Sequence, residues 1–146
     1  MALPFSRVGY PSWSPNGRTV ALDAVPAGSK ASGAAREDLH RNLYLLDRNG
    51  HVRRLLVRDL VDAGLSAWSP DGRWLALALH PADADAGLYL VNVASGAIHL
   101  VLRGDGFGST TWITNRELVA SVGVFSNLPG GHEQAGLKRV WLPQLG

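Results

Sequence analysis

The chain has 146 residues, of which 46% are hydrophobic, and this fits one folded domain rather than a disordered chain. Fourteen basic and twelve acidic residues give a net charge of +2. The basic residues do not cluster beyond pairs such as Arg53–Arg54, so the charge pattern typical of nucleic-acid binding is absent. Because there is no cysteine, disulfides and thiolate metal sites are excluded.

The first residues, Met1–Arg7, lack the basic and apolar regions of a signal peptide. No apolar stretch approaches the length that spans a membrane. We therefore expect no membrane contact, and a cytoplasmic location for the chain as written, unless it was trimmed from a longer secreted protein.

The first predicted unit covers about residues 9–57 and has four strands. Met1–Gly9, which precedes it, is aligned with the end of an outer strand and is predicted to be a stub of one. Ala27–Arg41 is a long polar loop, and Arg48–Gly50 is a hairpin turn. The four strands are Gly9–Ser14, Thr19–Val25, Asn42–Asp47 and His51–Val57.

The second and third units repeat this order with shorter connections. The second covers about residues 65–103, and the third covers about 109–143 and lacks an outer strand. The second has the strands Leu65–Ser69, Arg73–Leu79, Gly87–Val93 and Ala97–Arg103. The third has the strands Ser109–Ile113, Glu117–Val124 and Leu137–Leu142.

One short motif marks each unit. Ser12–Arg18 (SWSPNGR) returns as Ala67–Arg73 (AWSPDGR) and, in eroded form, as Thr111–Arg116 (TWITNR). Serine, proline, Asn or Asp, and glycine in this order favour a type I turn followed by a left-handed residue. A strand follows each copy, which argues against a phosphate-binding loop. The structural repeat residues are Trp13, Pro15, Gly17, Trp68, Pro70, Asp71, Gly72 and Trp112.

Trp68–Arg73, followed by the strand residues Leu75–Leu77 and Leu88–Val91, resembles the WD40-like repeat known as PD40. That repeat builds the β-propellers of TolB-type proteins and of prolyl-oligopeptidase-family peptidases. The resemblance covers nearly the whole chain and is weakest in the third unit. It implies an all-β fold of four-stranded antiparallel blades, with the tryptophan-bearing strand nearest the central axis. It implies little about activity, because the repeat serves several roles in its relatives.

About three blades are too few for a closed propeller, which usually has four to eight, and the TolB propeller has six. The exposed flanks of the end blades would favour association. We therefore predict that the chain is half of a six-bladed ring, completed by a homodimer. Met1–Gly9 is expected to supply part of the missing outer strand of the partner. The alternative is that the chain is a piece of a longer protein that holds the other blades.

The sequence contains no arrangement typical of an active site. There is no Gly-x-Ser-x-Gly motif, and the five histidines have no metal-binding spacing. Asp83–Gly87 resembles half of a calcium loop but lacks the later glutamate. We therefore predict no enzymatic activity, no cofactor and no metal.

The insertions Ala27–Arg41 and Phe125–Gly136 both join the second to the third strand of a unit, so they are expected on one face of the propeller. We predict a scaffold that binds a protein or small ligand there, or loops that only seal the dimer. The other functional hypothesis is an accessory or gating propeller fragment of a hydrolase whose catalytic domain lies outside this chain. The predicted binding residues are Arg36, Glu37, Asp38, His40, Phe107, Phe125, Asn127, His132 and Glu133.

Overall fold

The computed structural model describes residues 3–29, 40–104, 106–124 and 134–143, and in these it contains twelve strands, all paired antiparallel. This confirms the predicted all-β class. Within the same residues, no helix is long and apolar enough to cross a membrane. The strands are β1 (Phe5–Val8), β2 (Ser12–Trp13), β3 (Thr19–Pro26), β4 (Arg41–Asp47), β5 (Val52–Ala63), β6 (Ala67–Trp68), β7 (Trp74–Pro81), β8 (Gly87–Asn92), β9 (Ile98–Arg103), β10 (Phe107–Thr114), β11 (Glu117–Val124) and β12 (Gln134–Trp141).

The pairings divide these strands into three groups with the same order. In group one, β1 and β2 pair in turn with β3, and β4 and the first half of β5 follow. In group two, the second half of β5 and then β6 pair with β7, and β8 and β9 follow. Group three is β10–β11–β12. Because β5 belongs to two groups, groups one and two share one continuous sheet, and group three forms another.

A bulge at Asp59 lets β5 serve two groups. Asp59 has a left-handed backbone (φ 56°), and its N–H donates to Oδ1 of Asn42 at 3.1 Å. Its carbonyl accepts from the N–H of Ala82 at 2.9 Å. The register with β4 shifts around this residue, as is usual where a bulge bends a strand. The strand therefore leaves β4 and joins β7 without a loop between them.

The start of the chain corrects one prediction. Phe5 pairs with Pro26 on β3, just as Leu60 pairs with Pro81 on β7. Phe5 and Leu60 lie at the same distance in sequence before Trp13 and Trp68, the tryptophans of their groups. Thus β1 is the first part of an inner strand, and the predicted stub of an outer strand is wrong for Phe5–Val8. The contribution of Met1–Gly9 to a partner's outer strand stays a prediction. The error arose because β5 is one long strand that the sequence pattern divides into an outer strand and a separate link.

The repeated turn forms as its residues predict. Gly72 has a φ of 72°, which a glycine adopts without strain, and its N–H donates to the carbonyl of Ser69 at 2.8 Å. Oδ1 of Asp71 accepts from Oγ of Ser69 at 2.6 Å and from the N–H of Arg73 at 3.1 Å. The turn Ser14–Arg18 makes the same bonds with asparagine in place of aspartate. The motif therefore closes a hairpin and accounts for folding.

The core lies between the groups, where apolar side chains of facing groups meet. Complete burial of one such side chain contributes about 1.5–3 kcal/mol, so the interface of groups one and two and that of groups two and three hold the groups together. The interface of groups one and two includes Leu43, Leu45, Leu60, Leu75, Leu77, Tyr89 and Val91. The interface of groups two and three includes Trp74, Leu88, Leu90, Leu118, Ala120 and Val140.

Candidate functional site

Two of the nine predicted binding residues lie in the described part of the chain. His40 is exposed and directly precedes β4. Phe107 begins β10, is half-buried, and packs against the cluster between groups two and three. The other seven lie outside the described residues: Arg36, Glu37, Asp38, Phe125, Asn127, His132 and Glu133.

We call the edge formed by the end of β3, the start of β4 and the links β5–β6 and β9–β10 the loop end. Two cavities adjoin there, since Asp62 and Ala63 line both of them. The larger measures about 410 Å³ and includes Asp23 and Arg41. The smaller measures about 160 Å³ and includes Phe107. The larger cavity falls within the range of about 300–1,000 Å³ usual for small-molecule sites.

An ion pair that the sequence analysis missed stands in the larger cavity. Asp23 is 3% exposed, and its carboxylate accepts a hydrogen bond from the guanidinium of Arg41. Such pairing is what a buried carboxylate requires. A Cβ atom on Gly9 would overlap the Asp23 carboxylate, so glycine provides the space for it. The sequence feature that could have indicated this pair was the single acidic residue inside the apolar strand β3.

Both buried carboxylates of the described residues are neutralised by ion pairs. Asp23 and Glu117 are the buried carboxylates, and each is paired with an arginine, Arg41 and Arg139 respectively. Within the described ranges, no group of three His, Asp or Glu side chains could hold a metal ion. At the loop end, the Asp23–Arg41 pair leaves the Arg41 side chain partly exposed to the cavity.

The inner-strand tryptophans connect neighbouring groups. Nε1 of Trp68 donates to the carbonyl of Ser12 at 3.0 Å. Nε1 of Trp112 donates to the carbonyl of Ala67 at 2.9 Å. In both cases the acceptor is the residue just before the tryptophan of the preceding group. Trp13 belongs to group one, has no preceding group within the described chain, and is 55% exposed.

Group one has an apolar groove on the face turned away from group two. The groove measures about 300 Å³, and Trp13 forms one side of it. Val20 and Leu22 of β3 lie in its floor, in register with Leu46 and Tyr44 of β4. The equivalent side chains of group two pack against group one, so this face has the composition of an interface.

On its face turned away from group two, group three exposes two large apolar side chains, with the ion pair of Arg139 and Glu117 between them. Leu137 on β12 is 80% exposed and is paired in register with Ser121 on β11. Trp141, on the same side of β12, is 65% exposed. Leu43 and Leu88 hold the equivalent positions in groups one and two, and both are fully buried against the next group. Leu137 thus holds a position that is buried between groups elsewhere in the chain, but it is exposed among the described residues.

Comparison with known protein families finds no match, and neither does comparison with curated protein sequences. Solved structures do match. An acylaminoacyl peptidase in complex with Z-Gly-Gly-Phe-chloromethyl ketone superposes with a TM-score of 0.65 at 15% identity, over 94% of this chain and 23% of the peptidase. The uncomplexed Pyrococcus horikoshii acylaminoacyl peptidase gives 0.63 at 15% identity, with the same coverage. TolB from Acinetobacter baumannii gives 0.54 at 15% identity, over 92% of this chain and 30% of TolB.

The chain therefore has a β-propeller fold of the kind found in these proteins. At this level of identity, the likeness concerns the fold alone. The chain spans about a quarter of the length of the peptidases that it matches.

Proposed function

We propose that this chain is a partial β-propeller of three blades that pairs with a second copy to form a closed six-bladed ring. In this form it is a non-enzymatic scaffold, and the loop end of the ring binds a protein or small ligand. Each of the three groups is one blade, and the two free faces close the ring.

The observation that carries this proposal is the exposure of Leu137. Its counterparts Leu43 and Leu88 are fully buried between groups, whereas Leu137 is 80% exposed. A fully buried leucine contributes about 1.5–3 kcal/mol, so covering this face is favourable. Trp141, four residues further along β12 and beyond the paired Arg139, is a second exposed apolar side chain on the same face. A second copy offers the groove of group one as the matching surface.

The loop end supports the binding part of the proposal. Its larger cavity brings the Arg41 guanidinium, 25% exposed, and the exposed Asp62 together beside a buried carboxylate. Binding sites often lie on such connections at the edge of a rigid scaffold. The sequence offers no nucleophile motif, which supports recognition rather than catalysis.

Light scattering after size exclusion tests the association. At micromolar concentration we expect twice the chain mass of 15.6 kDa. Leu137→Glu should shift the chain to 15.6 kDa, because it places a charge in the apolar contact. Leu100→Glu is the control, since Leu100 is also exposed but lies on the outer strand β9 of the middle group. A wild-type chain that elutes as a monomer would contradict the proposal.

The second candidate function is a gating or accessory propeller for a hydrolase, which the likeness to acylaminoacyl peptidase favours. In that case the catalytic domain belongs to a neighbouring segment or to another chain. A Gly-x-Ser-x-Gly motif encoded next to this sequence would support this candidate. If that motif is absent and the chain forms a stable dimer, the result would favour the scaffold function over the gating function.

A further inference from the structure

We propose that Trp13 of one copy donates its indole N–H to the main-chain carbonyl of Thr111 of a second copy, so that two such bonds lock the ring. This inference rests on the proposed self-association and names a hydrogen bond that would stabilise the dimer. It is carried by a different observation, the series of tryptophan hydrogen bonds inside the chain.

The acceptor follows from the repeat. Trp68 binds the carbonyl of Ser12, and Trp112 binds the carbonyl of Ala67. Ser12 and Ala67 directly precede the tryptophans of their own groups, and in group three that residue is Thr111. Thr111 is exposed and pairs with Val119, as Ser12 and Ala67 pair with the corresponding alanines of β3 and β7. Its carbonyl therefore holds the place of the two carbonyls that already accept a tryptophan.

The donor follows from the same comparison. Trp13 holds the place of Trp68 and Trp112, yet within the described residues its indole makes no hydrogen bond of this kind. It lines the apolar groove of group one and is 55% exposed, whereas Leu22 and Leu46 in the same groove are buried. Tryptophan N–H groups usually find an acceptor when the ring is buried at an interface. The face that carries Trp13 is thus an incomplete copy of an interface that the chain completes twice.

A second copy of this chain supplies both halves of the missing contact. Its group three brings the carbonyl of Thr111 together with Leu137, and its group one brings Trp13 with the groove. A two-fold axis forms both contacts at once, because such interfaces are self-complementary. The proposed interface between the two copies thus has the same arrangement as the two interfaces within the chain.

The first experiment removes the donor. Trp13→Phe keeps an aromatic ring but loses the N–H, and two equivalent bonds are lost for each dimer. We expect the dimer dissociation constant, measured by sedimentation equilibrium, to rise about ten- to a hundredfold. Trp68→Phe is the matched control, because it removes the same bond within one chain. It should lower the thermal midpoint and leave the dissociation constant within about threefold.

A dimer whose dissociation constant is unchanged by Trp13→Phe would overturn this contact and leave the proposed self-association standing. A monomeric wild-type chain would overturn both. The two proposals are therefore separable in one set of measurements.

The second experiment uses the absence of cysteine from the chain. Oγ of Ser12 and Oγ of Ser66 lie 2.6 Å apart across the interface of groups one and two. Thr111 holds the position of Ser12 in group three, and Pro11 holds the position of Ser66 in group one. Thr111 of one copy and Pro11 of the other are therefore the equivalent pair across the proposed dimer interface. Side chains this close suit a disulfide. A mixture of Pro11→Cys and Thr111→Cys chains should therefore form a covalent heterodimer under mild oxidation.

Each single variant alone should stay uncrosslinked, and Ser12→Cys with Ser66→Cys in one chain is the positive control. Covalent dimers of Pro11→Cys alone would indicate that two group-one faces meet, which overturns the proposal. A mixture that does not crosslink while the positive control does would overturn it as well.

Discussion

Gly9 and Gly64 hold the same position in groups one and two, but different side chains lie opposite them. The N–H of each donates at 2.8 Å to the carbonyl of its partner on the next strand, Asp23 or Ala78 respectively. A Cβ on Gly9 would overlap the Asp23 carboxylate, whereas one on Gly64 would meet the Cβ of Ala78 at 3.4 Å. Glycine is therefore required sterically in group one, where it makes room for the ion pair with Arg41.

Gly9→Ala should lower the free energy of unfolding by about 1–3 kcal/mol, the usual cost of overpacking a filled site. Gly64→Ala is the matched substitution and should cost less than about 1 kcal/mol, because its new methyl group meets only an ordinary contact. Urea denaturation of both variants measures the two values. Equal losses would show that the Asp23 carboxylate does not set the requirement.

At the scale of elements, two hairpin turns are closed by the same kind of hydrogen bond to different side chains. In the turn between β4 and β5, Oδ1 of Asp47 accepts from the N–H groups of Asn49 at 2.9 Å and His51 at 3.0 Å. In the turn between β8 and β9, Oδ1 of Asn92 makes the same kind of bonds at 2.9–3.0 Å. One hairpin is closed by a carboxylate and the other by an amide. Only the first can therefore titrate.

Desolvation raises the pKa of the Asp47 carboxyl, and hydrogen bonds more than offset this. They come from the backbone N–H groups of His51 and Asn49 and the side chains of Arg53 and His51, and the resulting pKa is about 2 in place of 3.8. A carboxyl whose pKa is lower in the folded chain stabilises the fold above the unfolded value. That contribution is lost as the pH falls from near 3.8 through about 2.

Asp47→Asn should therefore keep the hairpin and remove this acid-sensitive contribution. Wild-type stability should exceed that of the variant at neutral pH, and the difference should shrink as the pH falls through this window. Asn92→Asp is the reciprocal change, because it places a titrating group in the second hairpin. Urea unfolding of the three proteins across this range gives the comparison, and parallel curves would contradict the role assigned to Asp47.

The sequence predicted the strands that lie between strong turn signals, such as those flanking Asp71–Gly72 and Asn49–Gly50. It failed where one element serves two groups. The left-handed bulge at Asp59 carries β5 from one group to the next without glycine or proline. A strand that bends at an aspartate gives no local signal, and the alignment of β1 failed for the same reason.

At the scale of the whole molecule, the proposed dimer links stability to concentration. A tenfold rise in protein concentration should increase the free energy of unfolding by up to about 1.4 kcal/mol, because association stabilises the folded state. The thermal midpoint of the wild-type chain should therefore rise with concentration. Leu137→Glu should abolish this dependence, and Leu100→Glu should retain it. Scanning calorimetry over a hundredfold concentration range provides the measurement, with a constant wild-type midpoint as the contrary result.

The candidate site was only partly accessible to sequence reasoning. The recurrence of Trp13, Trp68 and Trp112 identified a structural repeat, but their hydrogen-bond acceptors are main-chain carbonyls that no residue type reveals. The Asp23–Arg41 pair depends on register across β3 and β4, which residue spacing alone does not give. The exposure of Leu137 could be seen only in the structure, because its sequence context is that of a core residue such as Leu43 or Leu88.

The main-chain acceptors of the tryptophans have a consequence for how such a molecule can evolve. Every residue type carries the same carbonyl, so the acceptor positions are free to hold serine, alanine or threonine, as Ser12, Ala67 and Thr111 do. A duplicated segment would therefore find this acceptor on its neighbour whatever residue type stands there. The residue before each tryptophan can therefore change without loss of this hydrogen bond, although the apolar side chains between the groups are constrained by their burial.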